Sequence, residues 1–136
     1  MIRAVFDTNV WLGVVRKRGG SYQLFQRAEV GEYTSVTSHP ILNELVGVMR
    51  EDFAFSDDDA FRWWLRLTAL CEVIVVTSQL NAVKRDPYDN KFVECAVDGK
   101  CQFIVSNDKD LLDLREYQQI EMIKIGKFLA YLERVS

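Results

Sequence analysis

The sequence predicts an α/β protein. We expect a single domain over residues 1–136, built as a three-layer α/β/α sandwich with a mainly parallel, doubly wound central sheet. Short runs rich in β-forming residues alternate with segments of helical periodicity, which is typical of βαβ units. The length of 136 residues lies near the commonest domain size. A hydrophobic fraction of 49% and a charged fraction of 27% are those of an ordinary globular protein.

The first elements follow from short sequence patterns. An apolar run at residues 2–6 predicts a buried strand that ends in a polar turn at residues 7–9. Glycines flank residues 21–29, where mixed helical spacing predicts a short helix. Residues 33–37 are rich in β-formers and predict the second strand.

The next helix begins at Ser38, a candidate N-cap, and tolerates Pro40 in its first turn. At about 100° per residue, six side chains form one broad apolar stripe: Ile41, Leu42, Leu45, Val46, Val48 and Met49. Glu44 falls at the edge of this stripe, where a carboxylate is poorly solvated, and is therefore a candidate functional residue. His39, the only histidine of the chain, flanks the start of this helix and has no second histidine with which to form a metal site.

A capping box predicts the start of another helix at residues 56–59, where a serine is followed by three acids. The helix after it is apolar over more than half its circumference, through Phe61, Trp63, Trp64, Leu65, Leu67 and Leu70. Packing of this face inside the monomer is the preferred interpretation. The alternative is that part of the face contacts a partner.

The alternation continues to the end of the chain. Predicted strands lie at residues 72–77, 103–105 and 120–125. Predicted helices follow the turn at residues 86–89 as far as Gly99, cover residues 111–114 and close the chain at residues 127–134. The strand at residues 72–77 is apolar at its centre, as buried parallel strands usually are.

The amino-acid composition limits which functions and locations this protein can have. A pI near 5.2 argues against binding of nucleic acid by bulk positive charge. No apolar run is long enough to span a bilayer, and an acid at position 7 interrupts any signal-peptide core. Three cysteines without paired spacing, Cys71, Cys95 and Cys101, predict buried free thiols and a cytoplasmic location.

Four acids lie far apart in sequence but converge in the predicted fold. Asp7 follows the first strand, Asp108 follows the fourth, Asp89 opens a helix and Glu44 lies one helix beyond the second strand. Functional groups of open α/β sheets collect at the carboxyl ends of the strands. Taken singly, each Asp could equally be a turn or helix-cap residue.

Clustered carboxylates repel one another unless a cation compensates them. All-oxygen ligation suits Mg²⁺ or Mn²⁺, whereas zinc prefers histidine and cysteine. Such an ion activates water and stabilises charge on a phosphodiester oxygen. Thr8 and Asn9 are placed to orient the Asp7 carboxylate, and Ser106 to orient that of Asp108.

Four motifs in this order resemble the PIN domain family, and most closely its branch of toxins of toxin–antitoxin pairs, the VapC-like ribonucleases. The motifs are Val5-Phe6-Asp7-Thr8-Asn9-Val10, Leu42-Asn43-Glu44-Leu45, Asp86-Pro87-Tyr88-Asp89-Asn90-Lys91-Phe92 and Ile104-Val105-Ser106-Asn107-Asp108-Lys109-Asp110-Leu111-Leu112. The resemblance extends over essentially the whole chain.

The resemblance implies a cytoplasmic ribonuclease that depends on Mg²⁺ or Mn²⁺, with an RNA substrate, a small antitoxin partner and a homodimeric state. It implies that the catalytic residues and metal ligands are Asp7, Glu44, Asp89 and Asp108, supported by Thr8 and Asn9. Asn107 departs from the pattern, since this branch often has glycine before the last acid. Asp86 and Asp110 are close enough in sequence to assist or replace a ligand.

Basic residues also bear on an RNA substrate. Arg16, Lys17 and Arg18 form a basic stretch that either contacts RNA phosphates or is a solvated loop, and Lys84 and Arg85 allow the same two interpretations. Without the four acids, 16 acidic residues face 17 basic ones, so the acidity of the chain is local.

Two other function classes compete with the nuclease. One is a non-catalytic PIN-like module that binds a protein partner through the helix of Phe61, Trp63 and Trp64. The other is a phosphoryl-transfer fold, which also places an Asp after its first strand. Asp7 lacks a second Asp two residues later and a convincing lysine partner, so this class is disfavoured.

Overall fold

The computed structural model describes residues 1–84 and 86–136. Its strands are β1 (Arg3–Phe6), β2 (Thr34–Ser38), β3 (Glu72–Ile74), β4 (Phe103–Val105), β5 (Glu116–Tyr117) and β6 (Ile120–Ile123). Its helices are α1 (Thr8–Val15), α2 (Gly19–Glu29), α3 (His39–Asp52), α4 (Asp57–Leu70), α5 (Asn90–Asp98), α6 (Lys109–Leu114) and α7 (Ile125–Val135), with a 3₁₀ turn at Pro87–Asp89.

The six strands form one sheet in the order β3-β2-β1-β4-β6-β5. Every pairing is parallel except that of β5 with β6. Val5 at the centre of β1 lies opposite Val36 of β2 and Ile104 of β4. The strand order reverses at β1 and β4, and this switch point opens a crevice at the carboxyl ends of the strands. The predicted α/β fold with a mainly parallel, doubly wound sheet is confirmed.

Helix α1 was not predicted. The chain enters it directly after Asp7, whose side chain accepts a hydrogen bond from the backbone N–H of Val10 at 2.9 Å and so caps the helix. The helix is buried on nearly all sides, at Val10, Trp11, Leu12, Val14 and Val15. An apolar segment without a polar face has no amphipathic period, so the sequence showed only the polar turn at its start.

The two ends of the sheet also differ from the prediction. β3 stops at Ile74 instead of residue 77 because it is an edge strand, and Val75 beyond it is 83% exposed. It pairs in parallel with β2, as its apolar centre predicted, but it is only partly buried. At the other end, β6 stops at Ile123 instead of residue 125, and the short hairpin partner β5 was not predicted.

Helix α4 begins as the capping box predicted. The Ser56 hydroxyl accepts a hydrogen bond from the backbone N–H of Asp59 at 3.1 Å. Its apolar face packs only in part, however: Leu67 is fully buried, whereas Phe61 is 58% and Leu65 47% exposed. The expected packing of this whole face inside the monomer is therefore wrong. Ser38 stands at the predicted N-cap of α3, but its hydroxyl makes no capping hydrogen bond.

Between β3 and the 3₁₀ turn, the chain runs along α5 and is held by side chains of that helix. Asn90, Glu94 and Asp98, spaced one helical turn apart, accept backbone N–H bonds from Val83 at 2.7 Å, Leu80 at 2.8 Å and Ser78 at 2.9 Å, respectively. We call residues 77–83 the strap. These three anchors fix the path by which the chain returns to Asp86 and the start of α5.

The cysteine prediction is confirmed, since Cys71, Cys95 and Cys101 are buried and free. Burial raises the pKa of the Cys71 thiol to about 11, which keeps it protonated at neutral pH. In the described residues, no helix is long and apolar enough to cross a membrane.

Candidate functional site

A cleft of about 360 Å³ opens at the carboxyl ends of β1 and β4. Six acids line it: Asp7, Glu44, Asp52, Asp86, Asp89 and Asp108. The fold thus brings all four predicted site acids to one cavity, together with the predicted helper Asp86. The other predicted helper, Asp110, lines a separate depression beside Lys84 and Leu114.

Asp7 forms the floor of this acidic cleft and is 3% exposed. Its Oδ1 accepts the backbone N–H of Val10, and its Oδ2 accepts the Ser106 hydroxyl. Burial raises the Asp7 pKa to about 6; these hydrogen bonds oppose the rise, and the charge of Asp108 adds to it. The Asp7 carboxylate is thus buried in a fixed orientation, and the described residues place no cation in an ion pair with it.

Asp89 and Asp108 stand at the first positions of α5 and α6, but neither side chain makes a capping hydrogen bond. The pKa of Asp89 is raised to about 7, first by burial and then by the charges of Asp86 and Asp108. The nearby Asp108 carboxylate favours the protonated form of Asp89. The helix-cap interpretation therefore does not account for these two carboxylates, which face other acids across the cleft.

Among the described residues, Glu44 is the one of the four acids Asp7, Glu44, Asp89 and Asp108 that forms an ion pair. Its Oε1 accepts the Thr8 hydroxyl, and its Oε2 lies 2.6 Å from the ammonium of Lys91. Thr8 was expected to orient Asp7, and its hydroxyl contacts Glu44 instead. Asn9 supports Asp7 only through its backbone N–H, because its side chain is exposed.

Ser106 joins the two sides of the cleft. Its hydroxyl donates to Asp7 and accepts the backbone N–H of Asp108 at 2.8 Å. The prediction that Ser106 orients the Asp108 carboxylate is thus wrong: it orients the Asp7 carboxylate and the Asp108 backbone. One hydroxyl group thus links Asp7, which follows β1, to Asp108, which follows β4.

The basic stretch of Arg16, Lys17 and Arg18 lies exposed between α1 and α2. The Arg16 guanidinium lies 4.6 Å above the ring of Phe53, and Phe53 lines the acidic cleft. The stretch therefore reaches the rim of the cleft through one residue. Lys84 is exposed, and Arg85 lies outside the described residues.

Three cleft groups were missed by sequence reasoning: Asp52, Phe53 and Lys91. Asp52 and Phe53 close the end of α3, two turns after Glu44, so helical spacing from Glu44 could have placed them nearby. Lys91 lies two residues after Asp89, but its contact with Glu44 joins two helices and has no local sequence signal.

The donor set fits a hard divalent cation. Carboxylate oxygens are the ligands that Mg²⁺ and Mn²⁺ prefer. The pKa values of Asp7 and Asp89 are raised, and no cation among the described residues forms an ion pair with either carboxylate. With the side chains as they stand, no group of three or more His, Cys, Asp or Glu residues in the described ranges is arranged to hold a metal ion. Asp7 is held by Ser106, and Glu44 by Thr8 and Lys91.

Comparisons with known proteins point to one family. A family model described as the PIN domain matches residues 3–110. No curated protein sequence matches the chain. The fold is similar to that of PAE2754 from Pyrobaculum aerophilum, with a TM-score of 0.63, 15% sequence identity and 98% of each chain covered. It is also similar to a structure of VapBC2 from Rickettsia felis bound to a DNA fragment from their promoter, with a TM-score of 0.64, 14% identity, and 90% of this chain and 98% of the other covered.

Proposed function

The chain belongs to the PIN domain family, and from this premise we propose that it is a metal-dependent endoribonuclease, the toxin of a toxin–antitoxin pair. Its substrate is RNA and its cofactor is Mg²⁺ or Mn²⁺. The observation that carries the proposal is the meeting of Asp7, Asp89 and Asp108 in one cleft. Asp7 is buried and the other two are half-buried, and the described residues pair none of the three with a cation. Because clustered carboxylates of this kind destabilise a fold, their presence is typical of a functional site.

In this proposal, Asp7, Asp89 and Asp108 are direct ligands of a divalent ion, and Glu44 is the fourth acid of the centre. An ion held there supplies a nucleophile from bound water and stabilises charge on a phosphodiester oxygen. The chain contributes orientation: Ser106 and the N–H of Val10 hold both oxygens of Asp7. These contacts fix the position of the acid before any ion or substrate binds.

In this proposal, basic residues at the rim of the acidic cleft bind the phosphates of the RNA. Arg16, Lys17 and Arg18 are exposed, and the contact of Arg16 with Phe53 brings this stretch to the edge of the acidic cleft. Cations at this rim offset the repulsion between RNA phosphates and the acidic floor. The stretch therefore positions the RNA backbone and does not read its sequence.

The test makes the same chemical change, Asp to Asn, at one residue inside the acidic cleft and at one residue outside it. Asp7→Asn is expected to lower Mn²⁺-dependent cleavage of a labelled RNA by roughly 100-fold or more, because removing an oriented carboxylate exceeds the loss from removing its supporting groups. Asp98→Asn, outside the cleft, is expected to retain activity. Circular dichroism establishes that both variants are folded. Full activity in folded Asp7→Asn would refute the site assignment.

The toxin assignment rests on the motifs, on the family and on the fold shared with a VapBC2 structure. The proposed partners are a small antitoxin that covers the acidic cleft and a second copy of the chain. The test is co-expression with the small reading frame next to the gene. Copurification, with loss of RNA cleavage in the complex, is expected. A freely active nuclease in the complex would oppose this assignment.

A second candidate function is a non-catalytic interaction module, and one observation favours it. The ring of Phe61 is 58% exposed and stacks on Trp64 beside a groove of about 430 Å³ between α3 and α4. In that case Phe61→Ser abolishes partner binding and Asp7→Asn changes no activity. RNA cleavage that depends on Asp7 excludes this module as the main function.

A further inference from the structure

Lys91 differs from the other lysines in where its charge lies. Its side chain is 15% exposed, whereas that of Lys109 is 81% exposed. The remaining lysines are also exposed: Lys17, Lys84, Lys100, Lys124 and Lys127. Lys91 lies in the first turn of α5, where the helix macrodipole disfavours a cation. Other contacts must therefore stabilise its ammonium there.

Three different groups surround that ammonium. The Nζ atom lies 2.6 Å from Oε2 of Glu44 and donates to the backbone carbonyl of Tyr88 at 2.5 Å. It also lies 5.0 Å from the centre of the Phe92 ring, close enough for a cation–π interaction. A carboxylate, a carbonyl and an aromatic face together hold the ammonium at the wall of the acidic cleft.

This contact divides the acids of the cleft into two groups. Both oxygens of Glu44 are engaged within the protein, one by Thr8 and one by Lys91. Asp89, by contrast, has Asp86, Asp108 and Asp7 as its electrostatic neighbours. Within residues 1–84 and 86–136, Lys91 is the cation paired with an acid of this cleft. Among the described residues, Glu44 thus has a cationic partner in the protein and the other carboxylates of the cleft have none.

We propose that Lys91 occupies the position beside Glu44 that a second divalent cation would need, so that the cleft binds a single divalent ion. The inference rests on the proposed function. Two divalent cations would balance the four carboxylates of Asp7, Glu44, Asp89 and Asp108. With Lys91 paired to Glu44, three of these four carboxylates remain for one divalent ion, and a second ion beside Glu44 would be repelled by the ammonium. Lys91 therefore sets the metal stoichiometry of the site.

The test is Lys91→Met, which removes the charge and keeps a long side chain. Calorimetric titration with Mn²⁺ is expected to give one ion per parent chain and two per variant chain. In EDTA the variant is expected to melt at a lower temperature than the parent, because Glu44 loses its counter-charge. Mn²⁺ should then raise the melting temperature more in the variant than in the parent.

Two further variants serve as controls. Lys127→Met makes the same change in net charge on the exposed side of α7 and should bind one Mn²⁺. Lys91→Arg keeps a cation beside Glu44 and should also bind one. If Lys91→Met does not fold, Glu44→Gln provides the test: it should still bind one Mn²⁺, with affinity changed by less than about tenfold.

The outcomes separate this inference from the proposed function. One Mn²⁺ per Lys91→Met chain, two per parent chain, or loss of Mn²⁺ binding in Glu44→Gln would each overturn the inference and leave a metal-dependent nuclease in place. A parent chain that binds no Mn²⁺ would overturn both. Two ions in Lys91→Met and one in each of the other proteins would support the assignment.

Discussion

Helix α5 carries an aspartate at each end, and the two lie in opposite electrostatic surroundings. Asp98 accepts hydrogen bonds from the backbone N–H groups of Thr77 and Ser78 at 2.7 and 2.9 Å and from the Ser78 hydroxyl at 2.5 Å. These donors lower its pKa, the Ser78 hydroxyl most of all. Asp89, at the other end, faces acids across the cleft, and its pKa is raised to about 7.

The difference shows how a carboxylate that maintains the fold can be told from one that is available to a ligand. The oxygens of Asp98 are satisfied by the strap, so this residue has a complete structural role. The surroundings of Asp89 stabilise its neutral form, so its ionised form needs a cation from solution. The residue type is the same at the two ends, whereas the end of the helix and the neighbouring groups differ.

The largest stability effect is expected at the floor of the cleft. In the folded chain the pKa of Asp7 is about 6 against an ordinary value of 3.8, so ionising Asp7 destabilises the metal-free protein. Its contribution to stability is therefore highest below pH 4 and falls as the pH rises to about 6. In EDTA at pH 8, Asp7→Asn should raise the free energy of unfolding by about 2 kcal/mol.

Urea denaturation at pH 4 and pH 8 measures this difference. At pH 4 the parent Asp7 is largely protonated, so the variant and the parent should be nearly equal in stability. A variant that is less stable than the parent at pH 8 would show that the buried charge is compensated by the chain, which contradicts the contrast with Asp98.

A smaller effect of opposite sign is expected at the strap. Asp98→Ala removes the acceptor of several hydrogen bonds near the surface and should lower the free energy of unfolding at pH 7 by about 1 kcal/mol. Because the pKa of Asp98 is lowered from 3.8, this stabilisation is present at neutral pH and is lost as the pH falls through the folded-state pKa. Denaturation at pH 7 and at pH 2.5 tests the sign, and a difference that grows in acid would contradict it.

The smallest effect is expected at Asp110, which is close to Asp108 in sequence but lines a separate depression. Asp110→Asn should change Mn²⁺-dependent RNA cleavage by less than about threefold, since a surface change away from a site usually alters energies by under about 0.5 kcal/mol. The measurement is the cleavage rate at saturating Mn²⁺. A loss as large as that of Asp7→Asn would place Asp110 in the catalytic group.

Much of the fold could be predicted from local patterns. The apolar run of β1 and the stripe of α3 identified a buried strand and its covering helix, and the alternation of strands and helices identified the parallel sheet. Helix α1 could not be recognised, because a segment buried on nearly all sides has no continuous polar face to mark its period. The shortening of β3 depends on its place at the edge, which is a property of the whole sheet.

The site was predictable as a set of acids and not as a set of contacts. Strand order alone brings Asp7 and Asp108 together at a switch point. Which hydroxyl donates to which carboxylate depends on side-chain packing. The Thr8 hydroxyl donates to Glu44 and the Ser106 hydroxyl donates to Asp7. Lys91 reaches Glu44 because α5 packs beside α3, and no pattern within either helix indicates that pairing.

The pairing of β1 with β4 has a consequence for the timing of synthesis. Asp7 is made 99 residues before Ser106, whose hydroxyl holds it, and also before Asp108, which faces it. Chains emerge from the ribosome amino terminus first. A nascent chain that has not reached β4 therefore contains no complete cleft.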